Sequence, residues 1–156
     1  MTRKTELVRQ VLSVCLITLF SSCDPSTAHH SFQHITDNAW NRRDTICFTL
    51  DSLPANAAYT FLIELRTNPS YPYQSLWLAV CREMNNPALL ICDTIECVLN
   101  GRQENRTAPG IHSHTRSFSL PPLQLYQGQT GSIRVVHLMR RETLPGICDV
   151  GLCVRR

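Results

Sequence analysis

Hydrophobic and polar residues alternate along short runs of the chain, with the period of two that is typical of strands burying one face. Residues 45–50 and 59–66 alternate most strictly, whereas residues 76–81 are apolar on both faces and are expected to form a central strand. No window of a dozen residues shows a helical stripe. The predicted strands are 45–50, 59–66, 76–81, 94–99, 118–125, 132–139 and 151–155.

Turn-forming residues, mainly Asn, Pro and Gly, separate these runs. We therefore predict an all-β fold, an antiparallel β-sandwich of about seven strands that is either Ig-like or jelly-roll-like. Pro121-Pro122 donates no ladder hydrogen bonds, so the run 118–125 lies at a sheet edge or is broken in two. Residues 100–117 are polar and are predicted to form a long mobile loop.

The N-terminus has the layout of a secretory signal peptide, with three basic residues followed by the uncharged stretch 11–20. That stretch is about half the length needed to cross a bilayer. Residues 19–22 and the following Cys23 resemble a bacterial lipobox, so residues 1–22 are predicted to be a lipoprotein signal peptide and Cys23 the lipidated residue. Acyl chains on Cys23 would anchor the protein to a lipid bilayer. Ordinary signal cleavage near Ser22 is the alternative.

The 156 residues, 43% apolar and 17% charged, have the composition of one globular domain. We expect residues 23–39 to form a polar tether and residues 40–156 a single β-sandwich domain. Removing residues 1–22 removes three of the 15 basic and one of the 12 acidic residues, so the net charge falls from +3 to +1. A nearly neutral domain gives no reason to expect a nucleic-acid partner.

Six cysteines remain after the lipobox, and an exported protein meets an oxidising compartment. They allow 15 disulfide connectivities, between which the sequence does not choose. The near pairs are separated by four residues, a spacing that does not favour zinc. Either most are small buried residues within strands, or one or two disulfides form. The six are Cys47, Cys81, Cys92, Cys97, Cys148 and Cys153.

No motif for catalysis is present: the chain has no Gly-x-Ser-x-Gly sequence and no glycine-rich phosphate loop. His112 and His114, and the group His29, His30 and His34, are expected to be solvated rather than to bind metal. We therefore predict no catalytic residue, no metal and no cofactor, and classify the protein as a non-enzyme.

Tyr71, Tyr73 and Trp77 surround a proline-stiffened segment. Such aromatic residues could stack on sugar rings, which makes a glycan-binding surface lipoprotein the alternative function. We expect instead that Trp77 belongs to the core and that the two tyrosines cover an end of the sandwich.

Three sequences of the form Asp-Ser/Thr-apolar resemble the O-glycosylation site of Bacteroidetes envelope proteins. They make Thr45, Ser52 and Thr94 candidate O-glycosylation residues.

Several segments together resemble the gliding-motility lipoprotein GldH family of Bacteroidetes. They are Cys23-Asp24 after the lipobox, Trp40, residues 65–78, Asp93-Thr94 and residues 139–152. The resemblance implies a cell-envelope lipoprotein, expected in the outer membrane and associated with gliding and type IX secretion proteins as a structural or assembly component without catalysis.

The resemblance is poorer at residues 100–103. It also implies pairing of Arg66 and Arg140 with acidic groups such as Asp93 or Asp149 inside the sandwich ends. The residues it marks for partner or fold-defining contacts are Arg66, Tyr71, Tyr73, Trp77, Arg140 and Asp149.

Overall fold

A computed structural model describes residues 26–99 and 114–156. The predicted signal peptide, Cys23 and residues 100–113 of the predicted loop lie outside the described residues. Within the described ranges the chain forms strands and one 3-10 turn, Thr36–Asn38, and contains no helix long and apolar enough to span a bilayer. The strands are β1 (Thr27–His34), β2 (Ala39–Asn41), β3 (Ile46–Leu50), β4 (Ala57–Thr67), β5 (Ser75–Asn85), β6 (Leu89–Val98), β7 (His114–Ser119), β8 (Leu123–Leu125), β9 (Thr130–His137), β10 (Thr143–Pro145) and β11 (Ile147–Arg155).

The strands form two antiparallel sheets and a small ribbon. One sheet has the order β1-β11-β4-β7, with β8 also paired to β4; the other has the order β3-β9-β5-β6. Strands β2 and β10 form the two-stranded ribbon. If β7 and β8 are counted as one interrupted strand and the ribbon is left out, the strands of the two sheets can be renumbered 1 to 8 in chain order. The strand order is then 1-8-3-6 in the first sheet and 2-7-4-5 in the second. The predicted sandwich is confirmed, and this strand order is that of a jelly roll.

The core lies between the two sheets and follows the alternation seen in the sequence. On β4, Tyr59, Phe61 and Ile63 are fully buried, and on β5, Leu76 and Leu78 are fully buried opposite them. Side chains of this size each contribute about 1.5–3 kcal/mol when buried. Residues at the intervening positions point away from the core, so each strand contributes one face to it.

Strand β1 differs from the prediction, because residues 27–34 belong to the sheet and not to a tether. The segment is polar and lacks an apolar period, so side-chain patterning gave no signal for it. It is held by backbone pairing along β11, with Thr27 opposite Arg155 and His34 opposite Asp149. On its inner face, the Gln33 amide donates a hydrogen bond to the Cys47 carbonyl on β3.

Pro121-Pro122 breaks the run 118–125 into β7 and β8, as predicted. Both pieces pair with β4 at the edge of the five-stranded sheet. Because proline has no N–H, the ladder stops there, and the preceding Leu120 N–H donates the last hydrogen bond to the Phe61 carbonyl (2.8 Å).

The two ends of the sandwich differ in what they carry. Thr27 begins β1 at one end, where the Arg156 N–H donates to the Ser26 carbonyl (2.8 Å); we call this the terminal end. The eight residues of β1 span about 26 Å at 3.3 Å per residue to the opposite end, which we call the distal end. The distal end carries the 3-10 turn, the β2–β10 ribbon and the loop 68–74.

Candidate interaction site

The two segments that carry the family resemblance, residues 65–78 and 139–152, meet at the distal end. They meet because β4 and β11 pair antiparallel, which places Arg66 directly opposite Asp149. Beyond that pair, the Asn68 N–H donates to the Gly146 carbonyl (2.9 Å). Residues separated by about 80 positions in the chain thus form one continuous surface.

Arg66 and Asp149 form an ion pair, with Nη1 and Oδ2 3.0 Å apart. The other carboxylate oxygen of Asp149 lies 3.1 Å from His34 Nδ1, and the Arg66 guanidinium stacks 4.7 Å from the centre of the Phe32 ring. The pair lies on the outer face of the five-stranded sheet, not inside a sandwich end as expected. Together these contacts connect β1, β4 and β11. Because Arg66 is partly exposed, water screens its ion pair with Asp149, so the pair contributes little to the free energy of unfolding.

The expected pairing of Arg140 with Asp93 or Asp149 is wrong. Arg140 is exposed in the connection before β10, and Asp149 is bound by Arg66 and His34. Asp93 is bound by Arg82, a residue that the sequence analysis did not single out.

Arg82 lies between the two sheets with only 1% of its side chain exposed. Its Nη2 donates to Asp93 Oδ2 (2.5 Å) and its Nη1 to the Pro121 carbonyl (2.8 Å), while its guanidinium lies 5.1 Å from the centre of the Phe61 ring. Arg82 therefore connects β5 to β6 within the four-stranded sheet. It also connects β5 to the other sheet, where it contacts Phe61 on β4 and Pro121 between β7 and β8. The alternation of β5 could have predicted this burial, because Arg82 is two residues after Val80 and four after Leu78 and so shares their inward-facing side of the strand.

Tyr71 and Tyr73 close the distal end, as expected. Their rings are 5.7 Å apart in a T-shaped arrangement and pack against the core, and the Tyr71 hydroxyl donates to the Ser75 carbonyl (2.9 Å). Burial, with Tyr73 and Cys97 nearby, raises the pKa of Tyr71.

Gly146 supports this loop from the neighbouring turn. Its φ is +85°, and a Cβ built on it would lie 2.3 Å from the backbone nitrogen of Tyr71. Only glycine satisfies both conditions, which explains the glycine in the Leu144-Pro145-Gly146 turn.

Trp77 is not in the core, so the expectation for it is wrong. It faces outward from β5, 42% exposed, because Leu76 and Leu78 occupy the inward positions on either side. The fully buried tryptophan is Trp40 in the β2–β10 ribbon, whose Nε1 donates to the Asp44 carbonyl (2.9 Å).

His137 lies beneath Trp40, with ring centres 5.3 Å apart in an edge-on contact. It is 1% exposed, and neither ring nitrogen has a hydrogen-bond partner. Burial lowers the pKa of His137, and the nearby backbone of Trp40 opposes part of this shift. Burial therefore disfavours the protonated form of the ring.

The histidines near the N-terminus do not converge on one point. His29 lies on the inner side of β1 beside Ser31 (2.8 Å), while His30 faces outward and contacts Glu64 Oε2 (2.7 Å). His34 contacts Asp149, as described above. Within residues 26–99 and 114–156, no three His, Cys, Asp or Glu side chains are grouped to hold a metal ion.

Within the part of the chain that the structure describes, the cysteines form one disulfide, Cys81–Cys92, between directly opposed positions of β5 and β6. The other described cysteines carry thiols. Cys47 is exposed, Cys97 and Cys153 are buried, and Cys148 is half-buried. Burial raises the pKa of Cys97 to about 12, so its thiol is inert at ordinary pH.

The three candidate O-glycosylation residues all have exposed positions. Thr45 precedes β3, Ser52 follows it, and Thr94 is on the outer face of β6. Whether they carry sugars stays a prediction, as does the role of the six residues marked for partner or fold-defining contacts.

Comparison with known sequences shows related proteins. Over 81 residues, covering 51% of this chain and 48% of the relative, the chain is 32% identical to the gliding motility lipoprotein GldH homolog of Christiangramia forsetii. Over 73 residues, covering 47% of this chain and 45% of the relative, it is 30% identical to the gliding motility lipoprotein GldH of Flavobacterium johnsoniae. The aligned parts thus span about half the length of these relatives.

Among solved structures, a chain from the infectious bursal disease virus Gx strain covers 85% of this chain, and 32% of that chain is matched, at 14% identity and a TM-score of 0.31. This likeness is too weak to carry an argument. The sequence profile of the family described as GldH lipoprotein, by contrast, matches residues 27–154, from the first residue of β1 to the penultimate residue of β11. The chain therefore belongs to the GldH lipoprotein family.

Proposed function

We propose that this protein is a membrane-anchored lipoprotein of the cell envelope that acts as a structural or assembly component of the gliding-motility and type IX secretion machinery, without catalysis. The observation that carries the proposal is the extent of the family match, residues 27–154, which includes both sheets and the whole distal end. The names of the two relatives, both gliding motility lipoproteins, support it.

The anchor in this proposal is acylated Cys23, and the membrane is the outer membrane. Cys23 precedes by only three residues Ser26, whose carbonyl bonds the backbone of Arg156. A lipid on Cys23 would therefore hold the terminal end of the sandwich at the bilayer surface.

The arrangement of polar side chains supports a role without catalysis. Ser117 Oγ donates to Glu64 Oε1 (3.1 Å), and His30 contacts the other oxygen of Glu64 (2.7 Å). In a serine-histidine-carboxylate triad the imidazole contacts the hydroxyl directly, and the carboxylate lies behind the imidazole. Here the carboxylate stands between the serine and the histidine, so Ser117, Glu64 and His30 are not arranged as such a triad.

Two experiments test the proposal in the native organism. Metabolic labelling with an alkyne fatty acid should mark the wild-type protein and leave Cys23→Ala unlabelled and released from the outer-membrane fraction. Deletion of the gene should reduce type IX cargo in the medium, with restoration by the wild-type gene. Normal cargo secretion in the deletion strain would contradict the assembly role, and unlabelled wild-type protein would contradict the anchor.

Glycan binding is the alternative function, favoured only by the 42% exposure of Trp77. Tyr71 and Tyr73 are partly buried and pack against the core, so their rings are less open to a sugar than that of Trp77. A glycan array probed with the wild type and with Trp77→Ala separates the two functions. Sugar binding that is lost in Trp77→Ala would favour the alternative.

A further inference from the structure

Four exposed arginines cluster at the distal end although they come from two distant parts of the chain. Arg42 and Arg43 follow β2, and Arg140 and Arg141 precede β10. The ribbon joins the two segments, because the Arg42 N–H donates to the Glu142 carbonyl (2.7 Å). We call these four residues the arginine cluster.

The cluster is incompletely neutralised. Of these four arginines, Arg43 has a carboxylate within ion-pair distance, Glu142 Oε1 at 3.4 Å, and the other three have none among the described residues. Asp44 and Glu142 are the acidic residues next to the cluster in sequence, which leaves an excess of two positive charges. This local excess is larger than the net charge of +1 that the chain carries after residue 22.

Exposed apolar side chains adjoin the cluster. Leu138, two residues before Arg140, is 48% exposed, and its N–H donates to the Trp77 carbonyl (2.8 Å). Trp77 is 42% exposed on the same outer face, and Val98 is 50% exposed at the adjacent end of β6. Tryptophan and arginine are the side chains most enriched where protein partners bind strongly.

The position of this surface excludes the anchoring bilayer as its occupant, a step that rests on the proposed acylation of Cys23. The lipid would attach at the terminal end, and β1, which runs from there to the distal end that carries the arginine cluster, is about 26 Å long at 3.3 Å per residue. Guanidinium groups bind carboxylates in a two-point geometry, and the side chains beside them are apolar. We propose that the distal end is a docking surface for an acidic segment of a partner protein, whose carboxylates bind Arg42, Arg140 and Arg141 while its apolar side chains pack on Trp77 and Leu138.

The test uses the full chain in a non-ionic detergent and a fluorescent peptide of repeated Glu-Glu-Leu as probe, with Lys-Lys-Leu as the reverse-charge peptide. Arg140→Glu/Arg141→Glu should weaken binding of the acidic peptide at least about tenfold. The control Arg155→Glu/Arg156→Glu makes the same charge change at the terminal end and should alter binding less than about twofold.

Tryptophan fluorescence supplies a second readout, because Trp40 is fully buried and Trp77 is exposed. Binding of the acidic peptide should shift the emission to shorter wavelength in the wild type and not in Trp77→Phe. No binding, equal weakening in both double variants, or a shift that persists in Trp77→Phe would overturn the proposal.

Vesicles of phosphatidylglycerol and phosphatidylcholine test the other source of negative charge. Stronger binding to these vesicles than to the peptide, lost in Arg140→Glu/Arg141→Glu, would assign the surface to lipid and overturn the proposal. None of these measurements requires acylated Cys23, so their failure is distinguishable from failure of the anchor, which the labelling experiment tests separately.

Discussion

Arg82 and Asp93 form an ion pair on the inward-facing side of the four-stranded sheet, with their nitrogen and oxygen atoms 2.5 Å apart. Arg82 is 1% exposed and Asp93 25% exposed, so the pair is closed on the arginine side and open to water on the carboxylate side. Removing one partner should therefore destabilise the protein more than replacing both partners with apolar residues.

We predict that Asp93→Ala lowers the free energy of unfolding by about 3 kcal/mol, because it leaves a buried guanidinium without its carboxylate. The double variant Arg82→Met/Asp93→Leu should lose clearly less, because it removes both charges together. Urea unfolding of the three proteins measures the difference.

The control for this pair is Glu83→Ala, which breaks the exposed pair (3.2 Å) between Glu83, next to Arg82 on β5, and Arg134 on β9. It should cost less than about 1 kcal/mol. Equal losses in Glu83→Ala and Asp93→Ala would show that burial of Arg82 does not set the strength of its pair.

Gly146→Ala should destabilise the protein well beyond the cost of an unfavourable φ. The new Cβ would lie 2.3 Å from the Tyr71 nitrogen, a backbone atom that cannot rotate away. Gly128→Ala is the matched control, since Gly128 also has a positive φ (+79°) but no atom within 4 Å of the added Cβ. We expect a loss of about 1 kcal/mol for Gly128→Ala and at least about 3 kcal/mol for Gly146→Ala in thermal or urea unfolding. Similar losses would mean that the contact with Tyr71 relaxes freely.

Stability should fall as the pH drops below about 6.5, the ordinary pKa of histidine. Burial lowers the pKa of His137, so below pH 6.5 the unfolded chain takes up a proton that the folded chain does not. The unfolded state then binds more protons, and stability rises with pH, by at most about 1.4 kcal/mol per pH unit for one group. His29, whose pKa burial also lowers, contributes with the same sign.

Unfolding free energies measured between pH 7.5 and 5.5 in the wild type and in His137→Leu test this sign. The variant keeps an apolar side chain beneath Trp40 and has no proton to bind, so its pH dependence should be flatter. An unchanged slope would exclude His137 as the source.

The thiols should differ sharply in reactivity. Cys47 is exposed and should be alkylated by iodoacetamide in the native protein at pH 8. Cys97, buried with a pKa of about 12, and Cys153, also buried, should react only after unfolding. Cys81 and Cys92 should react only after unfolding and reduction. Peptide mass mapping measures each site, and native labelling of Cys97 would contradict the packing of the distal end.

The sequence by itself determined the class of fold and the local elements. Alternation at a period of two records which face of a strand is buried, and this signal survives in a single sequence because burial acts on each side chain separately. Pro121-Pro122 marked the break between β7 and β8 for an equally local reason, the missing N–H groups. The segments 65–78 and 139–152 also carried the family resemblance without any knowledge of their contact.

Only the tertiary structure decided which strands pair and what meets across them. Strand β1 has no apolar pattern, and its place in the sheet follows from backbone pairing with β11, which the alternation of side chains does not record. The partner of Asp93 is Arg82 and not Arg140, and the exposed tryptophan is Trp77 and not Trp40, because strand register sets which side chains face inward. The arginine cluster likewise exists only after β2 and β10 pair. Distances between residues far apart in the chain depend on pairing and register, which local periodicity does not encode.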